Sequence, residues 1–192
     1  ATAAAAGSLL VVKVPVVALL GYVAVLACAV QYSWGLKLSY RPGGLELVII
    51  GVNAATILLP YLWIAHRVTA IAVLISALVS SWTLLVVSYG NAADRAGDET
   101  SGRRTFAVLA SPQVYRVFVG ALYLTSVTLA VLPFALGFFT PAGIVFAVPL
   151  IVLQTVQVYW GAIRGDARRA MKIGMRCFDA GGLGFVVAIL LS

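Results

Sequence analysis

Asp94 and Asp98 stand one helical turn apart, with Asn91 before them and Gly102 and Thr105 beyond. The spacings are 3, 4, 4 and 3, so the five positions would share one face of a continuous helix. Carboxylates one turn apart can share a Mg2+ ion while substrate phosphate oxygens complete its shell. Asp94 and Asp98 are therefore the candidate catalytic residues, and Asn91, Asp94 and Asp98 the candidate metal ligands. An ion held there would neutralise charge building on a leaving diphosphate. Gly102 would let a ligand approach the backbone closely. Arg103, Arg104 and Arg116 follow, and guanidinium forks suit phosphate oxygens. The competing reading is a solvated loop whose acids pair with Arg95 or Arg103, an interaction worth little at a surface.

A second candidate lies earlier, in Tyr32-Ser33-Trp34-Gly35-Leu36-Lys37. Lys37 could reach a phosphate as a point charge and Tyr32 could donate a hydrogen bond. With Arg103 and Arg104 they make the candidate diphosphate-binding set. The plainer account is an aromatic belt with a snorkelling lysine. Asp166 would pair with its arginine neighbours, Asp179 would cap the last helix, and Glu46 suits a helix N-terminus. His66, the only histidine, lies far from the carboxylates along the chain. There is no Ser/His/Asp arrangement, phosphate-binding Walker loop or dinucleotide fingerprint.

The elements that must position these residues follow from composition. The 192 residues are 62% hydrophobic and 10% charged, with a mean hydropathy of +1.07. A soluble domain carries about 25% charged residues. The chain is therefore expected to be one polytopic, all-α membrane domain over residues 1–192, with an apolar surface facing lipid. A net charge of +7 then reflects topology and anionic headgroups, not nucleic acid. Cys28 and Cys177 form no metal motif and are expected to pack as small hydrophobes. Trp34, Trp63, Trp82 and Trp160 suit belts or packing. The N-terminal residues lack the basic start of a signal peptide and read as the end of a helix or a cut boundary.

Apolar runs predict six spans near residues 10–31, 45–64, 68–90, 114–136, 142–162 and 174–191. Pro15, Pro60, Pro133 and Pro149 read as kinks, which membrane helices tolerate. The first, third and fifth connections hold eleven of the thirteen basic residues, leaving Lys13 and Arg67 to the other side. The positive-inside rule puts those connections in the cytoplasm, the expected setting being a bacterial plasma membrane. Both chain ends then point outward, which suggests further sequence in front.

The stretch Asn91 to Thr105 resembles the second aspartate-rich motif of the UbiA superfamily of intramembrane prenyltransferases, D-x-x-D-x-x-x-D-x-x-x-G-x-x-T. Asn91 replaces its first aspartate; Asp94, Asp98, Gly102 and Thr105 match. Tyr32-Ser33 through Leu36-Lys37-Leu38 is similar to the Y-S-x-P-L-K-L signature of the chlorophyll synthase, homogentisate and menaquinone-pathway branches. Trp34 and Gly35 replace its small and proline residues, and Tyr40 to Glu46 resembles the menaquinone-branch connector. The resemblance implies helices four to nine of a nine-helix fold around a cavity. It also implies Mg2+-dependent transfer of an isoprenoid chain from its diphosphate to a lipophilic aromatic or alcohol acceptor. The family's first motif, N-D-x-x-D, has no counterpart; Asn53-Ala-Ala-Thr56 carries no acid. Three explanations stand open. The chain is a fragment, other membrane subunits supply the missing helices, or it is a non-catalytic UbiA-like subunit of a larger complex.

Overall fold

The computed structural model describes residues 16–190. They are helical, with no strand among them. In chain order they form α1 (Val16–Ser33), α2 (Gly44–Ala65), α3 (Ala70–Ala93), α4 (Arg95–Ser101), α5 (Phe106–Leu109), α6 (Pro112–Ala135), α7 (Val148–Val158) and α8 (Ala167–Leu190). Short 3-10 turns cover Leu38–Tyr40 and Pro141–Phe146, and a π turn, Tyr159–Ile163, extends α7.

Helices occupy all six stretches expected as spans, apart from the positions outside the described residues. Four segments are long and apolar enough to cross a bilayer: α2, α3, α6 and the composite Pro141–Ile163. The protein is an integral membrane protein. Helix α1 is apolar but shorter over Val16–Tyr32, and the start of its expected span lies outside the described residues. Helix α8 runs well beyond the expected 174–191, because its first turns carry Arg168, Arg169 and Lys172.

Local chemistry fixes the helix ends. The Thr69 hydroxyl accepts from the Ala72 N–H at 3.4 Å to open α3, and Ser111 does the same for Val114 at 3.3 Å in α6. Pro112 takes the first-turn position of α6, where its missing N–H costs nothing. Pro60 and Pro133 lie inside α2 and α6. Pro149 is not a mid-helix kink as expected: it sits in the first turn of α7, after a 3-10 turn has split the span. Asp179 is not a cap either, since α8 began at Ala167 and passes straight through it. Asp166 takes no arginine ion pair among the described residues; its Oδ1 accepts from the Arg169 N–H at 2.9 Å.

The core lies among α3, α6, α7 and α8. Leu78, Trp82 and Val86 of α3 meet Ala130, Leu150 and Cys177. The Trp82 and Phe178 rings stack at 4.6 Å. Cys177 packs as expected, whereas Cys28 is exposed. Lipid tails are as apolar as leucine, so side-chain burial gives little drive for helix association; close packing and interhelical hydrogen bonds must do it. Both are present. Gln154 Nε2 donates to Ser126 Oγ at 2.8 Å, and Tyr115 donates to the Ser88 carbonyl at 2.8 Å. Helix α8 approaches its neighbours through glycines: a Cβ on Gly174 would overlap Gln157 and Val86, and one on Gly181 would overlap Trp82. The α1–α2 hairpin packs on α3 mainly through α2, and no residue in the apolar window of α2 is buried.

Alternation of the helices brings the loops carrying Lys37, Arg41, Arg95, Arg103, Arg104 and Arg164 to one end of the bundle. The first turns of α6 and α8 add Arg116, Arg168 and Arg169 there. Among the described residues, Arg67 is the one basic side chain in the loops at the other end.

Candidate functional site

The stripe expected to run along one helix is broken at Asp94. This residue adopts φ −103° and ψ 11°, outside the helical region. Its N–H closes α3 by donating to the Gly90 carbonyl at 3.0 Å, and its own carbonyl accepts from the Asp98 N–H at 3.0 Å to open α4. Helix α4 then stops at Gly102, which takes the left-handed conformation at φ 75°. Thr105 therefore lies beyond the helix and reaches the site by a different route. The chain doubles back, and the Thr105 hydroxyl donates to Asp98 Oδ2 at 3.4 Å. Gly102 has a conformational role: it makes the turn that lets Thr105 return.

Asp98 is buried, at 7% exposure, and Asp94 is exposed. Arg103 Nη1 lies 3.6 Å from Asp98 Oδ1. Arg95 pairs with Glu99 at 2.9 Å, both half-exposed, so that pair contributes little. Asp94, Asp98 and Arg103 line one polar cleft of about 430 Å³, and Arg168 from the first turn of α8 completes its rim. Tyr32 stands within electrostatic reach of Arg103, Asp98 and Glu46. Glu46 sits in the first turn of α2, as expected, and its Oε1 accepts from the Phe106 N–H at 3.4 Å. That contact ties α2 to the segment holding Thr105.

The expected residues thus divide. Asp94, Asp98 and Arg103 share the cleft, with Tyr32 close by. Asn91 is half-buried in the last turn of α3 and is not among the residues lining the cleft. Arg104 is exposed and also outside the lining. Lys37 is exposed, in a left-handed conformation at φ 48°, where the 3-10 turn begins. The places of Arg168 at the cleft and of Glu46 beside it are not expected from the sequence. Both come from elements distant in sequence, and helical spacing around Asp98 carries no signal of them.

Two carboxylates face two guanidinium groups in the cleft, a formal balance of zero that would not recruit a bare divalent cation. Among the described residues no three His, Cys, Asp or Glu side chains converge as a metal site. A cation accompanied by diphosphate is a different ligand, because the arginines can take phosphate oxygens and release Asp98. The lining thus offers two carboxylates and two guanidinium groups, donor chemistry for a cation carried with a phosphate rather than for a bare cation. Beside the site, Tyr32, Asn53, Thr83 and the apolar residues Val48, Val52 and Val87 line an apolar cleft of about 390 Å³ between α1, α2 and α3. Comparison with protein-family models, curated proteins and solved structures returned no match to the chain.

Proposed function

We propose that the protein is a UbiA-like intramembrane prenyltransferase, transferring an isoprenoid chain from its diphosphate to a lipophilic aromatic or alcohol acceptor. The observation that carries this reading is the pairing of two clefts through Tyr32. One is polar, with Asp94, Asp98, Arg103 and Arg168; the other is apolar and lined by Tyr32, which is within electrostatic reach of Asp98 and Arg103. A molecule with a diphosphate head and a hydrocarbon tail has the matching chemistry.

Asp94 and Asp98 would hold Mg2+, which when bound offsets negative charge on the diphosphate. Arg103 and Arg168 would grip the outer phosphate oxygens. Val48, Val52 and Val87 would keep water from the tail. The carbon–oxygen bond at the head of the tail breaks, and the diphosphate leaves with the electron pair. The acceptor forms the new carbon bond and loses a proton. The excess of basic residues at this end of the bundle supports a cytoplasmic orientation for it.

The test is Mg2+-dependent prenyl transfer by the protein in lipid vesicles, with D94N and D98N alongside. Loss of turnover in both supports the proposal; unchanged turnover in both rejects it.

A second reading, a non-catalytic UbiA-like subunit, has its own support. The described residues offer no third ligand for the ion, and α2 leaves an apolar face uncovered. Co-purification of a membrane partner that restores transfer would instead show that the remaining ligands come from outside residues 16–190.

A further inference from the structure

A second pocket opens at the same end of the bundle, between the ends of α3, α6 and the π turn. Its volume is about 400 Å³. Arg95, Arg116 and Arg164 line it, and no carboxylate is among its lining residues. Asp94, Asp98, Arg103 and Arg168 do not reach it, so it is distinct from the cleft described above.

The three arginines differ in freedom. Arg95 is anchored by Glu99 at 2.9 Å and by the Val108 carbonyl at 3.4 Å. Arg116 spends only Nε, on the Pro112 carbonyl at 3.3 Å. Arg164 lies over the Trp160 ring at 5.9 Å. Neither Arg116 nor Arg164 has an ion-pair partner among the described residues. Tyr115 is a fixed wall, because its hydroxyl is committed to the Ser88 carbonyl. Pro112, Tyr115 and Arg116 belong to the start of α6, whose N-terminal end adds partial positive charge.

Position selects the anion. The pocket sits where three segments long and apolar enough to cross a bilayer end, and the ends of such segments meet the headgroup layer. Ile163, part of its wall, is 72% exposed, so apolar surface continues outward from the arginines. A soluble anion has no use for that surface, whereas a phospholipid places its phosphate among basic groups and its chains against lipid-facing side chains. We propose that this pocket binds the phosphate headgroup of an anionic phospholipid, with Arg116 and Arg164 as ligands and Arg95 as a fixed neighbour. The proposal is independent of the transfer reaction.

The experiment follows thermal unfolding of the whole protein in detergent while phosphatidylglycerol, phosphatidylcholine or inorganic phosphate is titrated in. Ligand that binds the folded state raises the midpoint with its concentration. Phosphatidylglycerol is expected to give a saturable rise and phosphatidylcholine none. R116Q and R164Q should each weaken the apparent phosphatidylglycerol affinity about fivefold or more. R41Q, which removes an exposed charge at the same end of the bundle, should leave it unchanged. R116K and R164K keep the charge and most of the affinity, which separates lost charge from lost fold. An equal response to phosphatidylcholine overturns the proposal. So does full affinity in both glutamine variants, or inorganic phosphate reproducing the whole shift and abolishing the lipid effect.

Discussion

Thr105 donates its hydroxyl to Asp98 Oδ2 across 3.4 Å, joining the start of α5 to a buried carboxylate on α4. Only the left-handed turn at Gly102 separates the two helices, and Arg103, within that turn, approaches the other carboxylate oxygen. Asp98 is thus a structural centre as well as a candidate ligand, while Asp94, four residues earlier, is exposed.

This difference predicts unequal stability effects. Asp98→Ala should cost about 1–3 kcal/mol, since it strips a partner from Thr105 and from Arg103. Asp94→Ala should stay within about 0.5 kcal/mol, as an exposed change. Urea unfolding in detergent micelles measures both. Equal losses would show that Asp98 is not the anchor.

Gly102 carries a conformational requirement. At φ 75° a Cβ is strained, so Gly102→Ala should cost roughly 1–2 kcal/mol. Gly102→Asn should cost less, because asparagine tolerates this region better. Thermal unfolding of the two variants orders them; alanine being the milder would contradict the turn geometry.

The charge balance of the cleft predicts that ion and anion bind together. Mg2+ alone should give no measurable heat in titration calorimetry, and diphosphate with EDTA only weak binding. The two together should bind at least about fivefold more tightly than either alone. Arg168→Gln should weaken the joint binding by about tenfold, one charge-assisted contact. Tight Mg2+ binding without diphosphate would count against this arrangement.

The π turn at the end of α7 brings Gly161 beneath Tyr89, where a Cβ would overlap the ring. Gly161→Ala should cost about 1–3 kcal/mol by overpacking. Combining it with Tyr89→Leu should cost less than the sum of the single changes. Strict additivity would mean that the two residues do not touch.

Much of this was legible in the sequence. Low charge and high hydropathy indicate a helical membrane bundle, and the alternation of basic loops indicates which ends meet. The one-turn spacing of Asp94 and Asp98 is a local signal, and it survives a change of helix between them: both line one cleft. The break itself was not legible: Asn91-Ala-Ala-Asp94 has neither glycine nor proline, and only φ and ψ at Asp94 reveal it. Asn91 shares a face with Asp94 and Asp98 only on a continuous helix, and the change of helix at Asp94 leaves it outside the cleft lining. Arg168 has no local signal because it arrives from α8 by tertiary packing. Asp179 is no cap because α8 starts within the basic stretch, where cationic side chains extend the helix past the apolar boundary.

Helix α8 holds Arg168 at the cleft, while Gly174 and Gly181 of the same helix fit deep among Gln157, Val86 and Trp82. From Arg168 to Gly181 is about 20 Å of helical rise. The rod acts as a lever whose fulcrum is a set of missing side chains. A single methyl group added at Gly181 would push the helix off Trp82 and carry the Arg168 guanidinium with it. The placing of Arg168 at the polar cleft is therefore set about 20 Å away, by glycines of the same helix that do not line the cleft.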